Sequence, residues 1–175
     1  MGAENLICHI NFPGTAQTQY SGTRNIVTDA PTAAGPFRLQ EIRSGVLTRT
    51  RNMNNLTDFS NVTEFTDNDN NWTLAEHGVD RAAFDAHWGA ETVVDYWLTI
   101  HNRNSINGST TNPLNIESYV HWDVPNDPDN FNASWFQNSM RYGDGFFGTN
   151  SLTSLDICAH EFGHGIDQFT GWRIR

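Results

Sequence analysis

The chain contains no lysine: all 10 of its basic residues are arginine, whereas 20 residues are acidic. A formal net charge of -10 at neutral pH repels phosphate groups, so we expect neither nucleic acid nor an anionic membrane surface as a partner. The sequence also lacks an apolar run of about eighteen residues, the length that spans a bilayer. Residues 1–5 have neither the basic segment nor the apolar stretch of a secretory signal, so we expect no signal peptide in this chain.

Cysteine is scarce as well, with two residues, Cys8 and Cys158. They allow one disulfide at most, and the sequence does not place them together. Cys158 falls on the apolar side of a helical pattern, which favours a small buried side chain. At 175 residues the chain is long enough to bury a core, and it has no internal repeat or long linker. We therefore expect residues 1–175 to form a single domain.

The clearest helical pattern lies near the C-terminus. A capping box of Thr153 and Asp156 predicts a helix over residues 153–169, followed by a frayed tail at 170–175. Apolar residues recur there at steps of three and four: Leu155, Cys158, Phe162, Ile166 and Phe169. The spacing is typical of an amphipathic helix that buries one side. The opposite side carries His160, Glu161, His164 and Gln168.

This second side contains the motif HExxH, in which His160 and His164 are four residues apart and Glu161 follows the first histidine. Side chains at that spacing project from one helix face, where two imidazoles can share a tetrahedral zinc ion. The glutamate can then accept a proton from a water molecule on the metal. The plain alternative is a pair of surface or core histidines, as in helices that contain the motif by chance.

A catalytic zinc site normally has three protein ligands, and the motif provides two. Asp167 lies on nearly the same face as His164 and is one candidate for a third ligand. The next helical turn is about 5.4 Å further along the axis, however, so three ligands from one straight helix would fit poorly around a tetrahedral ion. Cys8 is the other candidate within the chain. Gly163 and Gly165 cost helix propensity, so we expect a substrate or a second element to approach the helix closely there.

Strand-like segments bounded by Gly, Pro, Asn and Asp occupy much of the remaining sequence. They are predicted at residues 7–10, 38–42, 45–49, 117–122 and 139–142. Residues 1–19 are expected to form an extra strand or a poorly ordered lead-in.

A long helix is predicted from Asp80, as N-cap, to His101. Two apolar rows run along it, formed by Phe84, Trp88, Val94 and Leu98 and by Ala86, Ala90, Val93, Trp97 and Ile100. A helix that is apolar over so much of its circumference is expected to be buried between other elements. His87 and Asp95 within it are then expected to be satisfied core or boundary residues rather than metal ligands.

Several short segments follow one another along most of the chain: DNDNNW at 67–72, the helix from Phe84 to Tyr96, HNR at 101–103, VHW at 120–122, NASW at 132–135, MRYGDG at 140–145, and LDICA at 155–159 leading into HEFGH. In their order and spacing, these segments resemble the thermolysin-like zinc metallopeptidases. The resemblance implies an α+β fold. It would be the β-rich N-terminal half of such a catalytic unit, with one long buried helix and a C-terminal HExxH helix.

The same resemblance implies roles for single residues. His160 and His164 would hold zinc, and Glu161 would be the catalytic general base. Asn132 and Ala133 would hold an extended peptide substrate by strand addition, with Trp135 packed behind them. Without the resemblance, Asn132 and Ala133 would be interpreted as an ordinary polar turn.

In that family a glutamate that completes the zinc site and a histidine that stabilises the transition state follow in an α-helical half. Neither is found among these residues, so we expect a truncated N-terminal half that is inactive alone. Its partner would be the missing C-terminal half of the same enzyme. The family usually has an acidic residue where Gln168 stands, which leaves the role of this position open.

The resemblance also implies calcium binding. Asp67, Asp69 and Asn71 place oxygen atoms at alternating positions, as a calcium loop does, and Asp156 matches a further calcium ligand of the family. An Asx-rich turn without an ion has the same sequence, and Asp156 is also explained as a helix-capping residue.

The predicted function is a zinc-dependent metalloendopeptidase, which hydrolyses peptide or protein substrates with a zinc-activated water. The family implies a preference for an apolar side chain just after the cleaved bond and a secreted or extracellular location. The alternative is a non-catalytic peptide- or metal-binding domain on the same fold.

Overall fold

A computed structural model describes residues 10–123, 130–145 and 151–171. The strands are β1 (Ile10–Gln17), β2 (Thr23–Ala30), β3 (Phe37–Arg38), β4 (Gln40–Arg43), β5 (Val46–Leu56), β6 (Thr63–Glu64), β7 (Thr66–Asp67), β8 (Asn71–Trp72), β9 (Ile116–Trp122), β10 (Ala133–Phe136) and β11 (Ser139–Tyr142). The helices are α1 (Leu74–His77), α2 (Arg81–His101) and α3 (Leu155–Thr170), with 3-10 turns at Phe59–Asn61 and Gly78–Asp80. The fold is α+β and rich in strands, which confirms the predicted class.

The strands form two sheets. The first has the order β7-β3-β2-β1-β8, and the second has the order β10-β11-β9-β5-β4, with β6 beside β5. β9 pairs in parallel with both β5 and β11, whereas β10 and β11 are antiparallel. Within the described ranges, β10 is therefore an end strand of the second sheet.

Strand β1 runs through Pro13 and Gly14, which the sequence marks as turn signals. A Cβ at Gly14 would lie 2.7 Å from Cγ of Asn70, and Asn70 Nδ2 donates a hydrogen bond to the Pro13 carbonyl over 3.1 Å. The glycine therefore makes room for the Asn70 side chain and does not form a turn. Of the strand predicted at 7–10, only Ile10 lies within the described residues.

The long helix α2 follows Asp80 as N-cap and ends at His101, as predicted. It connects the parallel strands β5 and β9 and packs against both of them, against β2 and against α3. Its first half is buried on nearly all sides. The prediction that the helix is buried between other elements is wrong for its second half, where Ile100 is 64% exposed. The sheets and α3 cover only the part of the helix that crosses them.

His87 is a satisfied core residue, as predicted, whereas Asp95 is paired but lies at the exposed surface and not at the core or its boundary. Nε2 of the fully buried His87 lies 2.9 Å from the Val27 carbonyl oxygen, and its Nδ1 lies 3.3 Å from Thr50 Oγ1. Burial lowers the pKa of His87 to about 4, so the ring is neutral at neutral pH. Asp95 is exposed and accepts a hydrogen bond from Arg43 Nη1 over 2.8 Å.

The two long helices touch where Gly89 of α2 meets Cys158 of α3. A Cβ at Gly89 would lie 2.8 Å from the Cys158 sulfur, so this crossing leaves no room for a larger residue. Cys158 is buried, as predicted, and carries a free thiol whose pKa is raised to about 12 by burial. Cys8 lies outside the described residues.

The capping box predicted from Thr153 and Asp156 is wrong. The N-cap of α3 is Ser154, whose hydroxyl donates to Asp156 Oδ1 over 2.5 Å. Thr153 is fully buried, and its carbonyl accepts a hydrogen bond from the Cys158 thiol. Its side chain therefore belongs to the core, and the helix begins one residue later than the pattern suggests. Of the tail predicted at 170–175, Thr170 still belongs to α3, and residues 172–175 lie outside the described part.

The main core joins the apolar sides of α2 and α3 to side chains from both sheets. Trp72, Phe84, Tyr142 and Phe162 are among its largest fully buried members. Because Phe162 anchors α3 by its apolar side, the opposite side of this helix is left at the surface. Among the described helices, none has the length and apolar character needed to cross a membrane.

Candidate metal centre and substrate cleft

Helix α3 presents its two histidines side by side. Nε2 of His160 lies 2.9 Å from Nε2 of His164, and the ring centroids are 4.4 Å apart. Both side chains are exposed, because the helix buries only the face that carries Phe162 and Ile166. The i, i+4 spacing therefore brings the two nitrogen atoms together at the surface.

Glu161 lies deeper than its neighbours, with 5% of the residue exposed. It makes no side-chain hydrogen bond to the described part of the chain, yet it lines the same surface cleft as the histidines. The sequence pattern places it on the open side of the helix. It is instead recessed, because it stands beside the buried Phe162 at the margin of the apolar face.

The cleft has a volume of about 900 Å3 and is bounded by α3 on one side and by the end strand β10 on the other. Its lining residues are Asn132, Ala133, Ser134, Trp135, His160, Glu161, His164, Asp167, Gln168 and Gly171. A smaller depression of about 330 Å3 adjoins it and shares Asn132, Ala133, His160 and Glu161. The predicted substrate-holding residues and the predicted metal ligands therefore line one continuous surface.

Among the described strands, only β11 pairs with β10, so one edge of the β10 backbone is unpaired within this part of the chain. Gly143 N–H donates to the Asn132 carbonyl over 2.9 Å, and Ala133 stands opposite Tyr142 and Trp135 opposite Met140. In an antiparallel ladder, the backbone N–H and C=O groups of successive residues point alternately toward the partner strand and away from it. The N–H and C=O groups of Ala133 and Trp135 therefore point away from β11.

Asp167 lines the cleft but does not join the two histidines. Within the described ranges, three acidic, histidine or cysteine ligand atoms come within 4.8 Å of one another at one place, and that place is not in this cleft. Helix geometry explains the separation, since Asp167 lies nearly one turn beyond His164. Cys8, the other candidate ligand, is outside the described residues.

The two glycines of the motif differ. A Cβ at Gly165 would lie 2.9 Å from Ile106 Cγ2 and 3.1 Å from Cζ2 of Trp135, so a second element does approach closely, as predicted. A Cβ at Gly163 would have no neighbour within 4 Å among the described residues. Close packing therefore explains Gly165 and leaves Gly163 without a packing reason.

Two carboxylates of the loop at residues 67–72 lie together with a third carboxylate from α1. Oxygen atoms of Asp67, Asp69 and Glu76 lie within 4.8 Å of one another. The side-chain oxygen of Asn71 accepts a hydrogen bond from Thr15 Oγ1 over 2.7 Å. Sequence reasoning does not find Glu76 because it comes from α1, outside the loop pattern.

Asp156 lies apart from this cluster, in the first turn of α3. The hydrogen bond from Ser154 lowers the pKa of this exposed carboxyl. In the described part of the chain, Asp156 belongs to no group of three acidic, histidine or cysteine side chains that could hold one ion.

A buried ion pair supports the segment before α3, and the strand pattern around His121 gives no signal for it. His121 Nδ1 lies 2.7 Å from Asp144 Oδ1, and its Nε2 lies 3.5 Å from Asp80 Oδ1. Burial disfavours the charged ring, but the hydrogen bond to Asp144 and the negative charges of Asp144 and Asp80 outweigh burial and raise the pKa of His121 to about 9. Ser151 Oγ also donates to Asp144 over 3.2 Å. The protonated ring thus connects β9 to the start of α2 and, through Asp144, to the residues before α3.

Comparison with known proteins gives one consistent result. Residues 13–168 match the thermolysin metallopeptidase catalytic domain. The chain is 37% identical over 137 residues to a bacillolysin of Brevibacillus brevis, which covers 77% of this chain and 23% of that protein. It is 32% identical over 161 residues to a transglutaminase-activating metalloprotease of Streptomyces mobaraensis, which covers 90% of this chain and 19% of that protein. The chain thus spans about a fifth of the length of these curated relatives.

A solved structure, the precursor of protealysin, a metalloproteinase from Serratia proteamaculans, has a similar fold. Its TM-score is 0.55 at 21% sequence identity, over 71% of this chain and 35% of that chain. The family match extends over most of the sequence and includes both histidines and the strand opposite them. The chain therefore belongs to the thermolysin metallopeptidase family.

Proposed function

We propose that the protein is a zinc-dependent metalloendopeptidase whose metal-binding histidines, general base and substrate strand lie within these residues. The observation that carries the proposal is the 2.9 Å separation of His160 Nε2 and His164 Nε2 in a cleft that is bounded by the free edge of β10. Family membership supports a metallopeptidase, and the arrangement of this cleft supports the finer assignment.

The histidine pair fits zinc. Two nitrogen ligands at about 2.0–2.1 Å from a tetrahedral ion lie about 3.3 Å from each other, close to the observed separation of 2.9 Å. Both rings are exposed, so an ion can reach them without a change of the core. When bound, the metal polarises a carbonyl group and makes water more acidic.

Glu161 acts as the general base in this proposal. Its recessed carboxylate lies beside both histidines, faces the cleft and is not engaged in a side-chain hydrogen bond to the described residues. It accepts a proton from the water that attacks the scissile carbonyl. It then delivers this proton to the amide nitrogen as the C–N bond breaks, so the products are a carboxylate and an amine.

Strand β10 holds the substrate backbone in this proposal. The outward N–H and C=O groups of Ala133 and Trp135 can pair with an extended peptide, which adds a strand to the sheet. Asn132 lies at the start of the strand and lines both parts of the cleft, so its amide can bond to the same backbone. Binding through main-chain groups tolerates many side chains, which suits an endopeptidase that acts on peptide or protein substrates.

A third metal ligand is proposed to come from a segment outside these 175 residues, together with the other half of the substrate cleft. The two histidines without such a segment form a half-site, because zinc enzymes ordinarily use three protein ligands. We therefore infer that these residues bind zinc weakly by themselves and do not hydrolyse peptides. The extracellular location is likewise a proposal.

Calcium binding at Asp67, Asp69 and Glu76 is a separate proposal, supported by the clustering of three carboxylates within 4.8 Å. Asp67 already accepts backbone hydrogen bonds from Asp69 and Asn70 and lies 2.9 Å from His77 Nε2. An ion would neutralise the repulsion among the three acids. The roles predicted for Asn71 and Asp156 in calcium binding stay predictions.

The proposed peptidase activity is tested in the full-length protein with an internally quenched peptide substrate. Substitution Glu161→Gln should lower kcat by roughly 100-fold or more, because the amide cannot accept the proton. The control Glu64→Gln changes an exposed glutamate of β6 and should leave kcat unchanged. Chelation should abolish activity and zinc should restore it; activity that survives either chelation or Glu161→Gln would rule out the proposal.

A further inference from the structure

A single amide joins the two walls of the cleft. Nε1–H of Trp135 donates to Oε1 of Gln168 over 2.8 Å, and Nε2–H of Gln168 donates to Oδ1 of Asn138 over 3.3 Å. Trp135 belongs to β10 and Asn138 to the turn that follows it, whereas Gln168 belongs to α3. Gln168 thus contacts the β10–β11 hairpin at two points.

The indole ring also lies against the helix. A Cβ at Gly165 would lie 3.1 Å from both Cε2 and Cζ2 of Trp135, so the absence of a side chain at Gly165 lets the ring approach α3. The ring therefore contacts the helix closely at Gly165 and makes a directional hydrogen bond about one turn later at Gln168. Packing fixes how close the strand is, and the hydrogen bond fixes its position along the helix axis.

We propose that Gln168 is a positioning residue that sets the register between the substrate strand and the metal-binding helix. The inference rests on the proposed function, because it assumes that β10 binds the peptide backbone and that His160, Glu161 and His164 carry the reacting groups. Gln168 has no hydrogen bond to His160, Glu161 or His164, and it acts on the substrate strand through the side chain of Trp135.

The chemistry is sensitive to this register. The substrate backbone is bound by Ala133 and Trp135 on one element, while Glu161 and the histidines stand on another. A shift of β10 along α3 would displace the scissile carbonyl from the metal and the base without removing any group that binds the peptide. Misplacement of about 1 Å can cost on the order of 100-fold in rate. Loss of the Gln168 bond should therefore reduce kcat more than it changes KM.

The test uses three variants of the full-length protein. Gln168→Leu has similar size but neither accepts nor donates a hydrogen bond. Gln168→Glu keeps the acceptor for the Trp135 indole and loses the donor to Asn138. Gln137→Leu is the matched control. Gln137 lies in the same hairpin, but it accepts its hydrogen bond from Arg141 and not from Trp135. Measurements are kcat and KM on a quenched peptide, zinc content, and the indole 1H–15N resonance of Trp135.

We expect Gln168→Leu to shift the Trp135 indole resonance, to lower kcat about ten-fold and to change KM and zinc content little. Gln168→Glu should retain most of kcat, and Gln137→Leu should match the wild type. An unchanged kcat in Gln168→Leu overturns the inference, as does an equal loss in both Gln168 variants together with loss of zinc. A wild-type protein that cleaves no peptide would instead refute the proposed function, and this inference with it.

Discussion

Gly89 and Cys158 form the contact through which the long buried helix supports the HExxH helix. A Cβ at Gly89 would lie 2.8 Å from the sulfur and 3.0 Å from Cβ of Cys158. The buried residues around this crossing leave little room for α3 to move away. The helix face that carries His160 and His164 is thus held from behind by a contact that only glycine permits.

Substitution Gly89→Ala should destabilise the protein by about 1–3 kcal/mol, because the added methyl overpacks the helix crossing. Gly163→Ala is the matched control within a helix. A Cβ there meets no described atom within 4 Å, so this change should stabilise by about 0.5–1 kcal/mol through helix propensity alone. Urea unfolding of metal-free protein measures both, and equal effects of the two substitutions would contradict this account of the crossing.

The His121–Asp144 pair should make stability depend on pH. The pKa of His121 is raised to about 9 in the folded protein, against about 6.5 for an unperturbed histidine. The contribution is therefore fully present below about pH 6.5 and is lost as pH rises to about 9; it is on the order of 3 kcal/mol.

Substitution Asp144→Asn removes the first charge partner of His121 and so tests this dependence. The variant should be less stable than the wild type at pH 6, and the difference should shrink by pH 9.5. A difference that stays constant across this range would show that Asp144 contributes packing or neutral hydrogen bonds only.

Calcium should raise the melting temperature of the wild-type protein if the Asp67–Asp69–Glu76 cluster binds it, because an ion that binds only the folded state stabilises it by mass action. Glu76→Gln should reduce this shift by removing a charged ligand. Thermal unfolding with and without millimolar calcium measures the effect, with Glu64→Gln as the control. A shift of the same size in all three proteins would place calcium elsewhere.

The helices were the most predictable part of this fold. Apolar spacing defines both α2 and α3, because a helix buries one face at a fixed period. The point where burial ends along α2 could not be predicted, since it depends on where the other elements lie: none of the described elements covers Ile100 in the last turn. The N-cap of α3 could not be predicted either, because both Thr153 and Ser154 are residue types that cap helices. Burial of the Thr153 side chain leaves Ser154 as the N-cap.

The sequence predicts the two histidines of the candidate site, but it does not predict how β10 and α3 pack together on either side of the cleft. His160 and His164 are neighbours in sequence as well as in space, so a local motif contains their geometry. Trp135 and Gln168 lie in separate elements, and only the folded sheet brings an indole N–H to the amide oxygen. Glu76 joins Asp67 for the same reason, through α1. The resemblance to a known family identified Asn132 and Ala133, which their own sequence pattern does not distinguish from a turn.

The zinc affinity of the 175-residue chain, by competition with a chromophoric chelator, tests the metal site most directly. Wild-type protein should bind one zinc ion in the micromolar range, and His160→Ala and His164→Ala should each abolish binding. His101→Ala, which removes an exposed histidine at the end of α2, should have no effect. Binding that survives both substitutions in α3 would contradict the proposed centre. Nanomolar binding that both substitutions abolish would instead mean that a third ligand lies within these residues.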